Sequence, residues 1–233
     1  MARGNEEEAD AAVWRYAKAS RAHVVIDAAA YFTLMHEAML NARQRIFLIG
    51  WDFDSRIRLA GGRRGWNLPD AERVPARPCA VFLWLVRRRP GLQIRVLKWN
   101  FGALRFLFRG TMIVDVIRWL FNPAIKLNLD SAHPLGCSHH QKIVVIDDCL
   151  AVCGGIDMTS DRWDTPEHLH EDPRRRRING KPYGPWHDVT MMLEGDAAFA
   201  LGELGRRRWR RARGKAMRPR LPPDETPRPD RLG

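Results

Sequence analysis

Short apolar runs, broken by polar, Gly-rich or Pro-rich stretches, set the rhythm of this chain. Val24 to Ile26 reads as a short strand, and Asp27 stands at the N-cap of a helix over Ala28 to Arg43. Tyr31, Leu34, Met35, Ala38 and Met39 recur there at helical spacing. Arg45 to Trp51 is continuously apolar after its first residue, the pattern of a strand buried on both faces. Asp52 to Val74 is rich in Gly and Arg and has no period, so it reads as a loop. A helix over Arg77 to Arg88 stops at Pro90-Gly91. Leu92 to Trp99 alternates as a strand, Thr111 to Phe121 reads as a helix ended by Pro123, and Ile125 to Leu129 as a strand. His139 to Asp147 and Leu150 to Cys153 form a hairpin around Asp147-Asp148. A long polar loop over Asp161 to Gly184 follows. A strand over Asp188 to Leu193 and a helix over Asp196 to Arg210 close the pattern.

Strands alternating with helices predict an α/β fold with a mixed central sheet flanked by helices. Residues 1–22 begin with acidic and polar positions and read as a mobile segment. Residues 23–212 form one domain. Residues 213–233 carry Pro219, Pro222, Pro223, Pro227 and Pro229, which exclude helix and central strand and leave a linker or tail.

The chemistry concentrates in Ser138-His139-His140-Gln141-Lys142, followed by Ile143 to Ile146 and Asp147. On a strand, positions two apart share a face, so His140 and Lys142 stand side by side, a nucleophile beside a fixed positive charge. Asp147 lies at odd spacing from His140. A regular strand turns it to the opposite face, where it ends the strand and fixes the turn. Gly154 and Gly155 downstream let backbone approach whatever the pair holds.

These words resemble the phospholipase D superfamily, named for His-x-Lys-x4-Asp. His140, Lys142 and Asp147 match it, and Gly154-Gly155 follow after six residues. Ser138 to Lys142, Gly154 to Asp157, Arg162 to His168, Pro185 to Asp188 and Glu194-Gly195 resemble the eukaryotic-type branch and its bacterial relatives. The resemblance runs from about His23 to about Arg210. It implies a sheet flanked by helices, one copy per half, and a phosphohistidine intermediate on His140. Lys142 then holds a non-bridging oxygen, and Asp147 completes the catalytic motif. The acidic residue that orients the nucleophile's other nitrogen corresponds to Asp188. Gly154, Gly155 and Asp157 fall where relatives approach the phosphate. Asp157 either adjusts the site or caps a turn. His139 points away, Trp51 to Asp54 leave a strand end towards the pocket, and Trp163, Asp164 and His168 receive no chemical role.

One departure matters. Family monomers carry the motif twice, yet of the eight histidines here only His140 is followed two positions later by Lys. The general acid for the leaving group therefore has to come from a second half in cis or from a homodimer mate. A non-catalytic lipid-binding half-domain is the third possibility.

Charge and cysteines refine the picture. The net charge is +12, with arginine runs at Arg174 to Arg177 and from Arg206 to Arg213. Such runs are either solvated faces or attractors of polyanions, whether an anionic membrane surface or nucleic acid. Trp209 within the second run sits at a membrane interface or packs at a helix end. A phosphodiester substrate in a phospholipid is the leading expectation, and a homodimeric, metal-independent endonuclease is the alternative. No apolar run is long enough to span a bilayer, and the N-terminus lacks a secretory h-region, so a cytoplasmic protein peripheral to the membrane is expected. Cys149 and Cys153 share a strand face in the core. A zinc site from Cys137, His139 and His140 has poor spacing, and no cofactor or metal is expected.

Overall fold

The structure is a computed structural model describing residues 13–60, 74–99, 112–134, 137–220 and 226–229. Seven strands make one mixed sheet: β1 (Ala22–Ile26), β2 (Arg45–Gly50), β3 (Gln93–Trp99), β4 (Ile125–Asp130), β5 (Lys142–Ile146), β6 (Leu150–Gly154) and β7 (Val189–Glu194). Four helices accompany them among the described residues: α1 (Ala28–Asn41), α2 (Pro78–Arg88), α3 (Met112–Leu120) and α4 (Asp196–Arg211). The sheet order is β1-β7-β6-β5-β2-β3-β4. The mixed α/β architecture expected from the sequence is the one observed.

The topology follows from the connections. β2, β3 and β4 are parallel neighbours, which requires crossovers, and α2 and α3 fall in them. β5, β6 and β7 are joined antiparallel, and β5 pairs antiparallel with β2. The β5–β6 turn places Asp147 and Asp148 at φ 53° and 56°. Two successive left-handed residues suit a tight hairpin, and Asp tolerates that region better than most.

Both faces of the sheet are covered. Ile46, Leu48, Ile94, Val96, Val144 and Ile146 pack with Phe32, Met35 and Met39 of α1 and Phe82 and Leu85 of α2. Phe47, Ile49, Ile143, Val145 and Ala151 face the other way, onto Ala198 and Trp209 of α4. Burial on both sides explains why β2 and β5 are continuously apolar rather than alternating.

Several expectations are refined. Trp209 is 5% exposed and meets Phe47 edge-on, so it belongs to the core and not to a membrane interface. Asp27 occupies the N-cap position of α1 but its side chain makes no cap bond. The described residues before β1 are tied down, with Ser20 N donating to Glu194 O at 3.0 Å and Ala197 N to Lys18 O at 3.0 Å. The described tail also docks on the domain. Arg45 donates to Arg218 O, Asn41 to Arg228 O, and Arg228 pairs with Glu194. The start of the α3 reading at Thr111, residues 61–73 of the predicted loop and residues 1–12 lie outside the described residues.

Candidate active site

The site lies where β2, β3 and β4 end and β5 and β7 begin. β5 starts at Lys142, so His140 precedes the regular strand, yet the two side chains still meet: Lys142 Nζ is 2.8 Å from His140 Nε2. His140 is exposed and Lys142 is buried. A lysine ammonium has three donors and no acceptor. One points to His140 Nε2, one to His140 O at 3.1 Å, and one to Asp157 Oδ2 at 3.4 Å. With Lys142 charged, His140 Nε2 has to accept, which leaves the ring proton on Nδ1. The Nε2 lone pair of the exposed imidazole is therefore held by the buried Lys142 cation.

Asp157 is 3% exposed. Its burial raises its pKa above the ordinary carboxylate value, opposed by the charge of Lys142 and the N–H of Asp52. The Asp52 N–H donates to Asp157 Oδ1 at 3.3 Å, while Asp52 takes Lys98 Nζ at 2.9 Å and Thr159 Oγ1 at 2.9 Å. The segment that leaves β2 thus braces Asp157 from below, and Lys98, 1% exposed, adds a buried cation. Trp51 stacks on Trp99 with centroids 6.0 Å apart and meets the His140 ring edge-on at 5.7 Å. Trp51 and Trp99 form the aromatic wall of the site. Trp99 Nε1 also bonds His133 Nε2 at 2.9 Å.

The glycines sit under the partner strand. A Cβ on Gly154 would fall 2.4 Å from Thr190 Cα, and one on Gly155 would fall 2.0 Å from Asp188 Oδ1. Asp188 lies against Gly155 and accepts Val189 N–H at 2.8 Å. Among the described residues no hydrogen bond joins Asp188 to His140. Asp147 lies at the far end of β5, fully buried, and accepts backbone N–H groups from Arg43, Gln44 and Arg45 at 2.6 to 2.7 Å. So His140, Lys142, Asp157 and the two glycines come together, Asp188 borders them, and Asp147 does not reach them.

His139 turns away, 3.6 Å from Asp130 Oδ1 and 3.3 Å from Ala132 O. Cys137 is exposed and free, and it does not gather with His139 and His140 into a ligand set. Cys149 packs in the core, its thiol pushed up to about 12 by burial and by Asp147. The arginine runs divide. Arg175 is 1% exposed and binds Asp164, Arg206 pairs with Asp148, and Arg208 pairs with Asp130. Arg174 and Arg177, paired with Asp172 and Asp161, line a cavity of about 520 Å³ together with Arg176, Arg56, Arg58 and Trp163, apart from His140.

Two groups of side chains come together only in the fold. Asp52 belongs to the segment expected to leave a strand end towards the pocket, but its partner Lys98 was hidden because parallel pairing of β2 and β3 is a long-range event. His187, read only as part of a family word, bonds Asp27 at 2.9 Å, and His168 lies beside both.

The phospholipase D family model matches residues 38–220, and the chain belongs to that family. Phospholipase D C of Dictyostelium discoideum is 24% identical over 214 residues, covering 81% of this chain and 13% of that protein. Phospholipase D alpha 1 of Nicotiana tabacum is 27% identical over 218 residues, covering 77% of this chain and 27% of that protein. The chain thus spans roughly an eighth to a quarter of the length of these relatives. Nuc of Salmonella typhimurium, a phospholipase D family member, aligns structurally with a TM-score of 0.48 at 13% identity, covering 82% of this chain and 96% of that one. No helix among the described residues is long and apolar enough to cross a membrane.

Proposed function

We propose that this chain supplies the nucleophile half of a phosphodiester-cleaving centre that acts on glycerophospholipids. The contact between His140 Nε2 and Lys142 Nζ, 2.8 Å, carries the reading. His140 Nε2 attacks phosphorus and forms an N–P bond. The P–O bond to the headgroup alcohol breaks, and the departing oxygen takes a proton. Lys142 turns its donor from Nε2 to a non-bridging oxygen as the lone pair is engaged, so the charge that restrained the nucleophile stabilises the phosphoryl group. Asp157 keeps Lys142 aimed. Water or an alcohol then attacks the phosphohistidine and releases the phosphatidyl product. Asp188, beside Gly155, is the acidic group available to orient His140 Nδ1 when substrate reshapes the site. Asp147 supports the turn. The names of the curated relatives and the eukaryotic-type words favour a phospholipid over nucleic acid, and the internal pairing of Arg175, Arg206 and Arg208 subtracts from the basic surface a polyanion would use.

The proton for the leaving alcohol comes from a second His-x-Lys, in cis or in a second copy of this chain. General acid catalysis is worth roughly 100- to 10,000-fold. Residues 1–233 alone are therefore expected to be nearly inactive on an alkyl headgroup, yet to react with a phosphatidyl nitrophenyl ester, whose leaving group departs without an acid. The experiment is an acid quench of the chain with that ester labelled at phosphorus. Label on His140, lost in His140→Asn, is the expected result. Label on another residue, or equal reaction of His140→Asn, overturns the proposal. Turnover of a labelled oligonucleotide in preference to the lipid would replace the substrate assignment.

A further inference from the structure

Among the described residues, one cluster outside the His140 site gathers metal-binding side chains: Asp27 after β1, with His168 and His187 in the loop between β6 and β7. His187 Nδ1 is 2.9 Å from Asp27 Oδ1, His168 Nε2 is 3.2 Å from Asp27 Oδ2, and the two ring nitrogens are 3.1 Å apart. Asp27 is fully buried. Its Oδ1 also accepts Asp188 N–H at 3.2 Å, while its Oδ2 has no hydrogen-bond partner.

The surroundings fix how His168 presents itself. Its Nδ1 lies 3.0 Å from Asp164 Oδ2. Asp164 is itself fully buried and held by Arg175 and by the N–H groups of Thr165 and Trp186. A carboxylate so placed keeps the proton on Nδ1, and in the neutral ring Nε2 then carries a lone pair. That lone pair faces the unpartnered carboxylate oxygen. Two acceptors pointed at one another need a proton or a metal ion between them, and the corner is buried at Asp27 but open to solvent at His187. The arrangement of carboxylate, histidine and a further ligand is the one that orients imidazoles at metal centres.

We infer that Asp27, His168 and His187 form a binding site for a zinc-like divalent ion that clamps the β6–β7 loop to the β1–α1 junction. Two nitrogens and one carboxylate oxygen suit zinc and its late first-row neighbours, whereas calcium and magnesium favour all-oxygen sets. Ligands at tetrahedral zinc, about 2.0–2.1 Å from the ion, stand roughly 3.3 Å apart. The two ring nitrogens stand 3.1 Å apart, each is 2.9 to 3.2 Å from a different oxygen of Asp27, and one ligand atom from each residue lies within 4.8 Å of the others, so a small adjustment reaches that spacing. His187 is 68% exposed at its side chain, which leaves a coordination position open to water. The clamp also reaches the first site. Asp188 follows His187 directly, and its carbonyl accepts Asp27 N–H at 2.9 Å, so the ion holds the strand end that lays Asp188 on Gly155.

The test uses residues 1–233 treated with a chelator and dialysed, then titrated with zinc against a chromophoric competitor, with bound metal counted by mass spectrometry. The expected result is one zinc per chain and a melting temperature that rises with zinc. His187→Gln, an exposed change that leaves the core intact, should weaken binding at least tenfold and remove the thermal shift. Asp164→Asn should weaken it about 10- to 100-fold. His140→Asn, outside the cluster, should bind zinc as the unaltered chain does, which separates this inference from the proposal for His140. Zinc affinity unchanged in His187→Gln and His168→Gln, or preference for calcium over zinc, would overturn the site. So would the absence of stoichiometric zinc, which would assign the cluster to a proton shared between His168 and Asp27.

Discussion

The carboxylate of Asp188 fills the space that any side chain at position 155 would need, with Oδ1 2.0 Å from the place a Gly155 Cβ would take. The clash is with a side-chain end that can rotate. Gly155→Ala is therefore expected to keep the fold, turn Asp188 off Val189 N–H, and lower activity of the assembled enzyme at least tenfold. At Gly154 the neighbour is Thr190 backbone, 2.4 Å away, which cannot rotate aside. Gly154→Ala should lower stability by about 1–3 kcal/mol, the usual range for overpacking. Urea unfolding and phosphodiester turnover on both variants check the contrast, and equal stabilities would refute it.

Lys142 is expected to matter in the transition state more than in binding. Lys142→Met removes the cation from the phosphoryl oxygens and should cost about 3 kcal/mol or more in kcat/KM with the fold retained. It also frees His140 from its fixed tautomer. Nitrogen NMR of labelled histidine should show His140 protonated on Nδ1 in the unaltered protein and a mixture of tautomers in the variant.

Asp147 should behave as a structural residue, despite its place in the motif. Asp147→Ala strands three backbone N–H groups, that of Arg45 in a buried position. Part of that loss is recovered by water at Arg43 and Gln44, so the expected destabilisation is about 2–4 kcal/mol. Asp147→Asn, which keeps one acceptor, should lose about half as much. Phosphohistidine formation, measured below the melting temperature, should survive in Asp147→Asn. A variant as stable as the parent but inactive would reverse this assignment.

Asp157 links stability to pH. Burial raises its native pKa above the unfolded carboxylate value. The native state then binds the proton more tightly. Its contribution is full below the unfolded pKa and is lost as pH rises through the native pKa, with a slope of at most about 1.4 kcal/mol per pH unit. Relative to Asp157→Asn, the unaltered protein should be most favoured at the acid end of that window and lose its advantage upward. Urea midpoints for the two proteins across the window measure it, and an advantage that grows with pH would contradict the assignment.

Much of the fold was legible because burial on both faces wrote itself into the composition of β2 and β5. Element ends moved by one to three residues, where caps and strand fraying depend on neighbours that a linear reading does not contain. His140 and Lys142 were legible because their contact is local, two residues apart. The place of Trp51 to Asp54 at a strand end was legible too, but the pairing of Asp52 with Lys98 was not, since the two meet only when β2 and β3 lie parallel. The triangle of Asp27, His168 and His187 was hidden for the same reason: Asp27 read as a helix cap, and nothing in the spacing of 27, 168 and 187 places them together. Trp209 had two readings, and only the packing of α4 on Phe47 separates them.

The two ends of the sheet have different jobs, and this has a use in protein engineering. At one end lie His140, Lys142, Asp157 and the loop that carries His168 and His187. At the other, Asp147, Asp148 and Glu194 bind backbone, Arg206 and the docked tail. A substitution library confined to the exposed and half-buried positions among residues 51–60, 131–139 and 158–186 therefore samples new substrate preferences with the reacting groups and the buried ion pairs left in place. One spread over residues 41–45, 147–149 and 210–220, leaving Arg208 with its bonds to Asp130 and Gln141, samples thermal tolerance with the reacting groups untouched. Combining winners from the two should be close to additive, because groups at opposite strand ends share few partners.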